Sequence, residues 1–275
     1  MTIDLAGIRT VLCDLDGVVW LAHQPISGAV GAIDRLRRSG RRIVFVTNNS
    51  AALISAHEHA LAAIGIPATG DVVSSAMAGA ALTNAGERVL VTGGAGVMEA
   101  VANVGATPLL NDGATAHDAI DAVVVGLHRD FDYQRLRLAA RAVRQGARLI
   151  GTNGDTTYPT PDGLDPGGGA ILAAVAAASG VEPTIGGKPH LPMADVVRRL
   201  LDDGTGFDPA TAIMVGDRPE TDGLFAERLG SPFALVRSGV TAPGDEPAGH
   251  AGMRVTVSID VLDLAALADL LINPS

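Results

Sequence analysis

Short, unbroken apolar runs recur along the chain, most of them closed by glycine or by small polar residues. The first is Val11-Leu12-Cys13, followed by Ile43-Val44-Phe45-Val46, Val89-Leu90-Val91, Ala122-Val123-Val124-Val125, Leu149-Ile150, Ile213-Met214-Val215 and Phe233-Ala234-Leu235-Val236. Continuous rather than alternating runs suit strands buried on both faces of a parallel sheet. Between them lie stretches with helical spacing. Val30, Ile33 and Leu36 follow Ser27, an expected N-cap, and Gly40 closes that helix. Residues 53–64, 74–85, 95–104, 192–203, 220–229 and 261–271 read as further helices, and Tyr133, Leu136, Ala140 and Val143 mark another. Strand, helix, strand in sequence predicts right-handed parallel crossovers. Trp20–Pro25 and 241–252 read as loops, and Val255-Thr256-Val257 as a last strand.

The pattern also predicts two bodies. A segment with its own strands and helices, residues 80–180, interrupts a set formed by 1–79 and 181–275. The expected fold is α/β: a Rossmann-like, doubly wound parallel-sheet core with an inserted α/β domain.

Composition narrows the function. The 275 residues are 47% hydrophobic and only 3% aromatic, so Ala, Val, Leu and Gly carry the packing. A formal net charge of −10 argues against nucleic acid or an anionic membrane surface as the main partner. No apolar run approaches the ~20 residues of a membrane span. No basic and apolar leader opens the sequence. The one cysteine, Cys13, forms no internal disulfide and reads as a core residue, which suits a cytoplasmic protein.

Several apolar runs end in chemistry-bearing side chains. Asp14 and Asp16 follow the first run, and alternate residues of an extended strand point the same way. Gly17 then permits a sharp turn. Two carboxylates side by side at the mouth of a buried strand repel each other unless a cation or a reacting group uses them. Thr47 and Asn48 end the second run, and Asp217 ends the run at 213–215, with Asp222 five residues on. Ligands of open parallel sheets bind beyond the carboxyl ends of the strands. Lys188 stands among chain-bending residues in Gly186-Gly187-Lys188-Pro189. Gly93-Gly94-Ala95-Gly96 lacks the full spacing of a dinucleotide loop, and no acid ends the next strand.

In this order, Asp14-Leu15-Asp16-Gly17, Thr47-Asn48-Asn49, Gly187-Lys188-Pro189 and Gly216-Asp217-Arg218-Pro219-Glu220-Thr221-Asp222 resemble the four motifs of the haloacid dehalogenase superfamily, in its NagD-like, 4-nitrophenylphosphatase branch. The resemblance covers nearly the whole chain and implies a Mg²⁺-dependent phosphatase acting on small phosphate monoesters. It implies Asp14 as nucleophile, Asp16 as general acid and base, and Thr47, Asn48 and Lys188 as phosphate-binding groups. Asp14, Asp217 and Asp16, the last through its main-chain carbonyl, are the implied metal ligands, with Asp222 supporting them. The insert 80–180 takes the position of a substrate-selecting cap, with His128, Arg129 and Tyr158 as candidate contacts. His128 stands where relatives often carry an acid, and Ala51 where some carry arginine. Relatives form cap-mediated dimers, and the sequence leaves a homodimer open.

Two other readings compete. A mutase or phosphotransferase usually places a helical cap between the first two motifs, but only about 30 residues separate Asp16 from Thr47, room for one crossover helix. A catalytically silent binding protein would be favoured by loss of Asp14 or Asp16, and both are present.

Overall fold

The computed structural model describes residues 3–21, 23–160, 163–246 and 255–274. The chain divides into two compact units, one of 1–47, 55–73 and 197–275, the other of 48–54 and 74–196.

The first unit is built on a six-stranded sheet. Its spatial order is Ile259–Val261, Phe233–Val236, Ala212–Gly216, Thr10–Cys13, Arg42–Thr47 and Val72–Ser74. Strands Thr10–Cys13 and Ala212–Gly216 are buried throughout, as their apolar runs require. They pair in parallel, with Cys13 opposite both Val215 and Phe45. From Thr10–Cys13 the chain proceeds to one side through Arg42–Thr47, and later returns on the other through Ala212–Gly216. That reversal opens a crevice beyond the carboxyl ends of the central strands.

Several expected elements differ in this unit. Trp20–Leu21 and Gln24–Pro25 pair as a short hairpin rather than a loop. The helix expected from Ser27 spans Ala29–Arg38 and is capped by Gly28, with no side-chain cap. Val255-Thr256-Val257 is not a strand: the edge strand is Ile259–Val261, paired in parallel with Ala234–Val236. The main-chain N–H of Thr256 goes instead to Glu227 Oε1 at 3.0 Å, and the bond from Ser258 N to Phe233 O, 2.9 Å, starts the pairing. Part of the expected loop 241–252, residues 247–252, lies outside the described residues.

The second unit has a five-stranded sheet in the order Thr184–Ile185, Arg148–Gly151, Ala122–Val125, Arg88–Thr92 and Thr107–Leu110, with parallel pairings throughout. Alternation of side chains along its central strands feeds two cores. Val89, Val91, Ala122 and Val124 pack with Ala76, Ala80, Val97 and Val101 on one side. Leu90, Val123 and Val125 pack with Ala139, Val143, Ile171 and Leu172 on the other. An antiparallel hairpin joins Thr157–Thr160 to Gly163–Pro166.

This unit is larger than the expected insert 80–180. Helix Ser75–Ala80 contributes Ala76 and Ala80 to its core, and strand Thr184–Ile185 pairs with Ile150 and Gly151. Its edge strand Thr107–Leu110 and its helix Gly168–Ser179 are absent from the sequence reading.

Candidate active site

In the first unit, Asp14 leaves the end of strand Thr10–Cys13 with its N–H still bonded to Val215 O at 2.9 Å. Asp217 leaves the end of the adjacent parallel strand. With Cys13 opposite Val215, Asp14 and Asp217 leave the same end of the sheet, one and two residues past that pair. The segment after Asp217 forms a five-residue π-helix, Pro219–Gly223, before helix Leu224–Leu229. A π-turn is rare and tends to occur at functional sites. Here it brings Asp222 back to the strand end, where Asp222 Oδ2 accepts from Arg218 N at 3.2 Å. Asp14, Asp217 and Asp222 are all buried, and each offers a carboxylate oxygen lying within 4.8 Å of the others.

Three buried carboxylates this close repel one another, and a cation held among them relieves that repulsion. An all-oxygen donor set is what a hard divalent ion such as Mg²⁺ takes. Glycines let the main chain pack closely against these carboxylates. A Cβ on Gly17 or on Gly239 would run into the Asp217 carboxylate, and one on Gly216 into that of Asp222. Gly17 further adopts a φ of +86° that side-chain-bearing residues resist. The residues fit the metal.

Sequence reading missed the loop that holds Asp217. Val240 N donates to Asp217 Oδ2 at 2.6 Å, and Thr241 Oγ1 donates to the Asp217 main-chain carbonyl at 2.5 Å. Ser238 Oγ donates to Gly17 O at 2.7 Å, tying this loop to the Asp16 turn. The only local signal was a Ser-Gly-Val-Thr run just past the end of strand Phe233–Val236.

Asp16 lies on a tight turn in which Leu15 O accepts from Val19 N at 2.9 Å and Gly17 N donates to Trp20 O at 2.8 Å. Its carboxylate is half-buried and accepts from the indole Nε1 of the buried Trp20 at 3.1 Å. It is not one of the three clustered carboxylates. Thr47, at the end of strand Arg42–Thr47, is buried.

Asn48 and Lys188 belong to the second unit. Lys188 is 3% exposed. Asn48 Oδ1 accepts from Lys188 N at 2.9 Å, and Asn48 Nδ2 donates to Lys188 O at 3.1 Å and to Asp155 Oδ2 at 3.1 Å. Asp155 and Asn153, which supports Asn48 O through a 2.7 Å bond, were not among the expected site residues.

The glycines at 93–96 serve packing. A Cβ on Gly94 or Gly96 would strike the main chain of Ala51 and Ala52, and Gly96 N donates to Ala51 O at 3.1 Å. Of the candidate cap contacts, the Arg129 guanidinium lies 5.6 Å from the centre of the Tyr158 ring and 3.8 Å from Asp165. Tyr158 and Asp165 face each other across the hairpin. His128 is held below its ordinary pKa by burial, then by the Arg135 charge.

Comparison with known proteins agrees with this geometry. Residues 11–107 match a family model described as haloacid dehalogenase-like hydrolase, and 185–262 match a second, HAD-hydrolase-like model. D-glycerol 3-phosphate phosphatase of Mycobacterium tuberculosis is 38% identical over 244 residues, covering 86% of this chain; the chain spans 64% of that relative's length. 5'-Nucleotidase YutF of Bacillus subtilis is 33% identical, with 84% of this chain and 87% of the relative covered. Among solved structures, the M. tuberculosis glycerol phosphate phosphatase in complex with magnesium superposes with a TM-score of 0.84 at 33% identity, covering 98% of this chain and 79% of that one. A 4-nitrophenylphosphatase from Thermotoga maritima superposes with a TM-score of 0.82 at 26% identity, over 97% and 98% of the two chains. The chain thus belongs to the haloacid dehalogenase-like hydrolases.

Proposed function

We propose that this chain is a Mg²⁺-dependent phosphatase of the NagD-like branch, hydrolysing small phosphate monoesters through an aspartyl-phosphate on Asp14. The observation that carries the reading is the buried cluster of Asp14, Asp217 and Asp222 at the carboxyl ends of two adjacent parallel strands.

Asp14, Asp217 and the main-chain carbonyl of Asp16 would hold the ion, with Asp222 completing the set directly or through a bound water. When bound, Mg²⁺ neutralises the Asp14 carboxylate against an incoming phosphoryl group and stabilises charge on its oxygens. An Asp14 oxygen attacks phosphorus while the bond to the ester oxygen breaks. Protonated Asp16 gives its proton to that leaving oxygen. Asp16, now a carboxylate, takes a proton from water as the water oxygen attacks phosphorus; the Asp14–phosphorus bond breaks, and inorganic phosphate leaves. Thr47, the main-chain N–H of Asn48 and Lys188 bind the phosphoryl oxygens, with Lys188 supplying fixed positive charge.

Residues 1–79 and 181–275 are read as the catalytic domain and 80–180 as the cap that selects substrate. Glycerol phosphate and nucleoside monophosphates are the first candidates, on the names of relatives of similar sequence. The mutase alternative is disfavoured because all of 1–47 packs in the first unit, with one hairpin and one helix between Asp16 and Thr47. Among the described residues no helix is long and apolar enough to cross a membrane. A cytoplasmic location is inferred from the single cysteine, and the sequence leaves a homodimer open, which light scattering tests.

Phosphate release from a panel of glycerol, glycolate, nucleoside, pyridoxal and sugar phosphates tests the proposal. Activity is expected with Mg²⁺ and lost in EDTA. Full turnover after exhaustive chelation would overturn the metal assignment, and no release from any ester would overturn the phosphatase reading.

A further inference from the structure

We propose that Asn48 is a positioning residue: its side-chain amide fixes the main chain of Lys188, and so sets where the lysine ammonium is held. This deepens the proposed function and rests on its assignment of Lys188 as the cation that meets the phosphoryl group.

The amide grips Lys188 from both sides of its main chain, accepting from Lys188 N at 2.9 Å and donating to Lys188 O at 3.1 Å. The second amide hydrogen goes to Asp155 Oδ2 at 3.1 Å. A primary amide has two N–H donors, so both are committed. No side-chain donor remains for a phosphoryl oxygen, and any contact of Asn48 with substrate falls to its main-chain N–H. In this proposal the side chain supports Lys188, and the main chain of Asn48 faces the phosphoryl group.

The main chain of Asn48 is itself anchored. Asn48 O accepts from Ser75 Oγ at 2.6 Å and from Asn153 Nδ2 at 2.7 Å. A Cβ on Gly187 would lie 2.7 Å from Asn48 Oδ1, so the residue before the lysine must be glycine for the amide to reach it. Lys188 and Asp155 meet on the side-chain amide, while Ser75 and Asn153 hold the main-chain carbonyl of the same residue. Asparagine suits this junction because it carries a donor and an acceptor on one short, planar arm. Aspartate keeps only acceptors, and serine is too short to span both main-chain groups.

Lys188 is buried, and a buried ammonium acts where its backbone puts it. Misplacing a catalytic group by an ångström costs on the order of 10²-fold in rate. The test is a double-mutant cycle on the full chain, using 4-nitrophenyl phosphate at saturating Mg²⁺: wild type, N48A, K188A and N48A/K188A. We expect kcat of N48A to fall on the order of 10²-fold with an unchanged Mg²⁺ midpoint. In the K188A background, removing Asn48 should cost less than about 3-fold, because its effect passes through the lysine. If N48A lacks a cooperative thermal transition, N48D carries the same cycle, since it retains the acceptor for Lys188 N–H and nearly the same volume. Wild-type kcat in the Asn48 variant would overturn the proposal. So would a loss of full size in the K188A background, which would mean that Asn48 acts independently of Lys188. Wild-type kcat in K188A would overturn the role of Lys188 in the proposed function.

Discussion

Asp16 differs from its neighbours in a way that fits a mobile proton. Asp14, Asp217 and Asp222 are buried and clustered. The Asp16 carboxylate is only half-buried, accepts from Trp20 Nε1, and stands outside the cluster. A group meant to gain and lose a proton in turn should not share a cation that keeps it ionised. Asp16→Asn removes donor and base while nearly preserving volume, and such assistance is worth roughly 10²- to 10⁴-fold. With an alkyl phosphate both steps should slow. With 4-nitrophenyl phosphate, whose phenolate leaves unaided, only the second should. Rapid-quench measurement should show a burst of about one equivalent of nitrophenolate before slow turnover, with phosphate retained on Asp14. Equal losses on both substrates without a burst would assign Asp16 to shaping the turn.

At the scale of elements, the loop after strand Phe233–Val236 matters as much as the strand. Arg237 anchors it: Nε and Nη2 reach both oxygens of Asp260 at 2.8 and 2.6 Å, and Nη1 donates to Ala242 O and Asp245 O. The same loop supplies Val240 N to Asp217. The guanidinium beside Asp260 holds that carboxyl below the ordinary carboxylate range. A depressed folded-state pKa stabilises the fold above the unfolded value, near pH 4, and that contribution is lost as pH falls through the folded value. Asp260 is 46% exposed, so solvent screening limits the pair to roughly 1 kcal/mol or less. Asp260→Asn should cost about that much in urea unfolding at pH 7, and the difference should shrink as pH falls below the unfolded value near 4. A constant difference across that range would mean that the side chain acts by packing instead.

For the molecule as a whole, metal binding and choice of substrate should separate between the two units. The carboxylate cluster lies in the first unit; the Arg129–Tyr158–Asp165 group lies in the second. Arg129→Ala and Tyr158→Phe should reorder the rates on the ester panel by several-fold while leaving the Mg²⁺ midpoint unchanged. An unchanged ranking would remove these residues from the selecting surface.

What the sequence by itself determined is what short-range order encodes. Asp14, Asp16, Thr47 and Asp217 could be placed at strand ends because a buried parallel strand is a run of apolar residues, and the next polar side chain marks its mouth. The two bodies were visible for the same reason, as two sets of such runs. The half-exposed edge strand Thr107–Leu110, containing Pro108, carried no such run, and the two-residue strand Thr184–Ile185 was too short to carry one. Only the tertiary structure decided how the carboxylates cluster, because that depends on the register of Cys13 against Val215 and on the π-turn returning Asp222. It alone revealed the loop that holds Asp217 and the amide that grips Lys188. Val240 meets Asp217 across 23 residues and Asn48 meets Lys188 across 140, and contacts between such separated positions leave no local pattern to read.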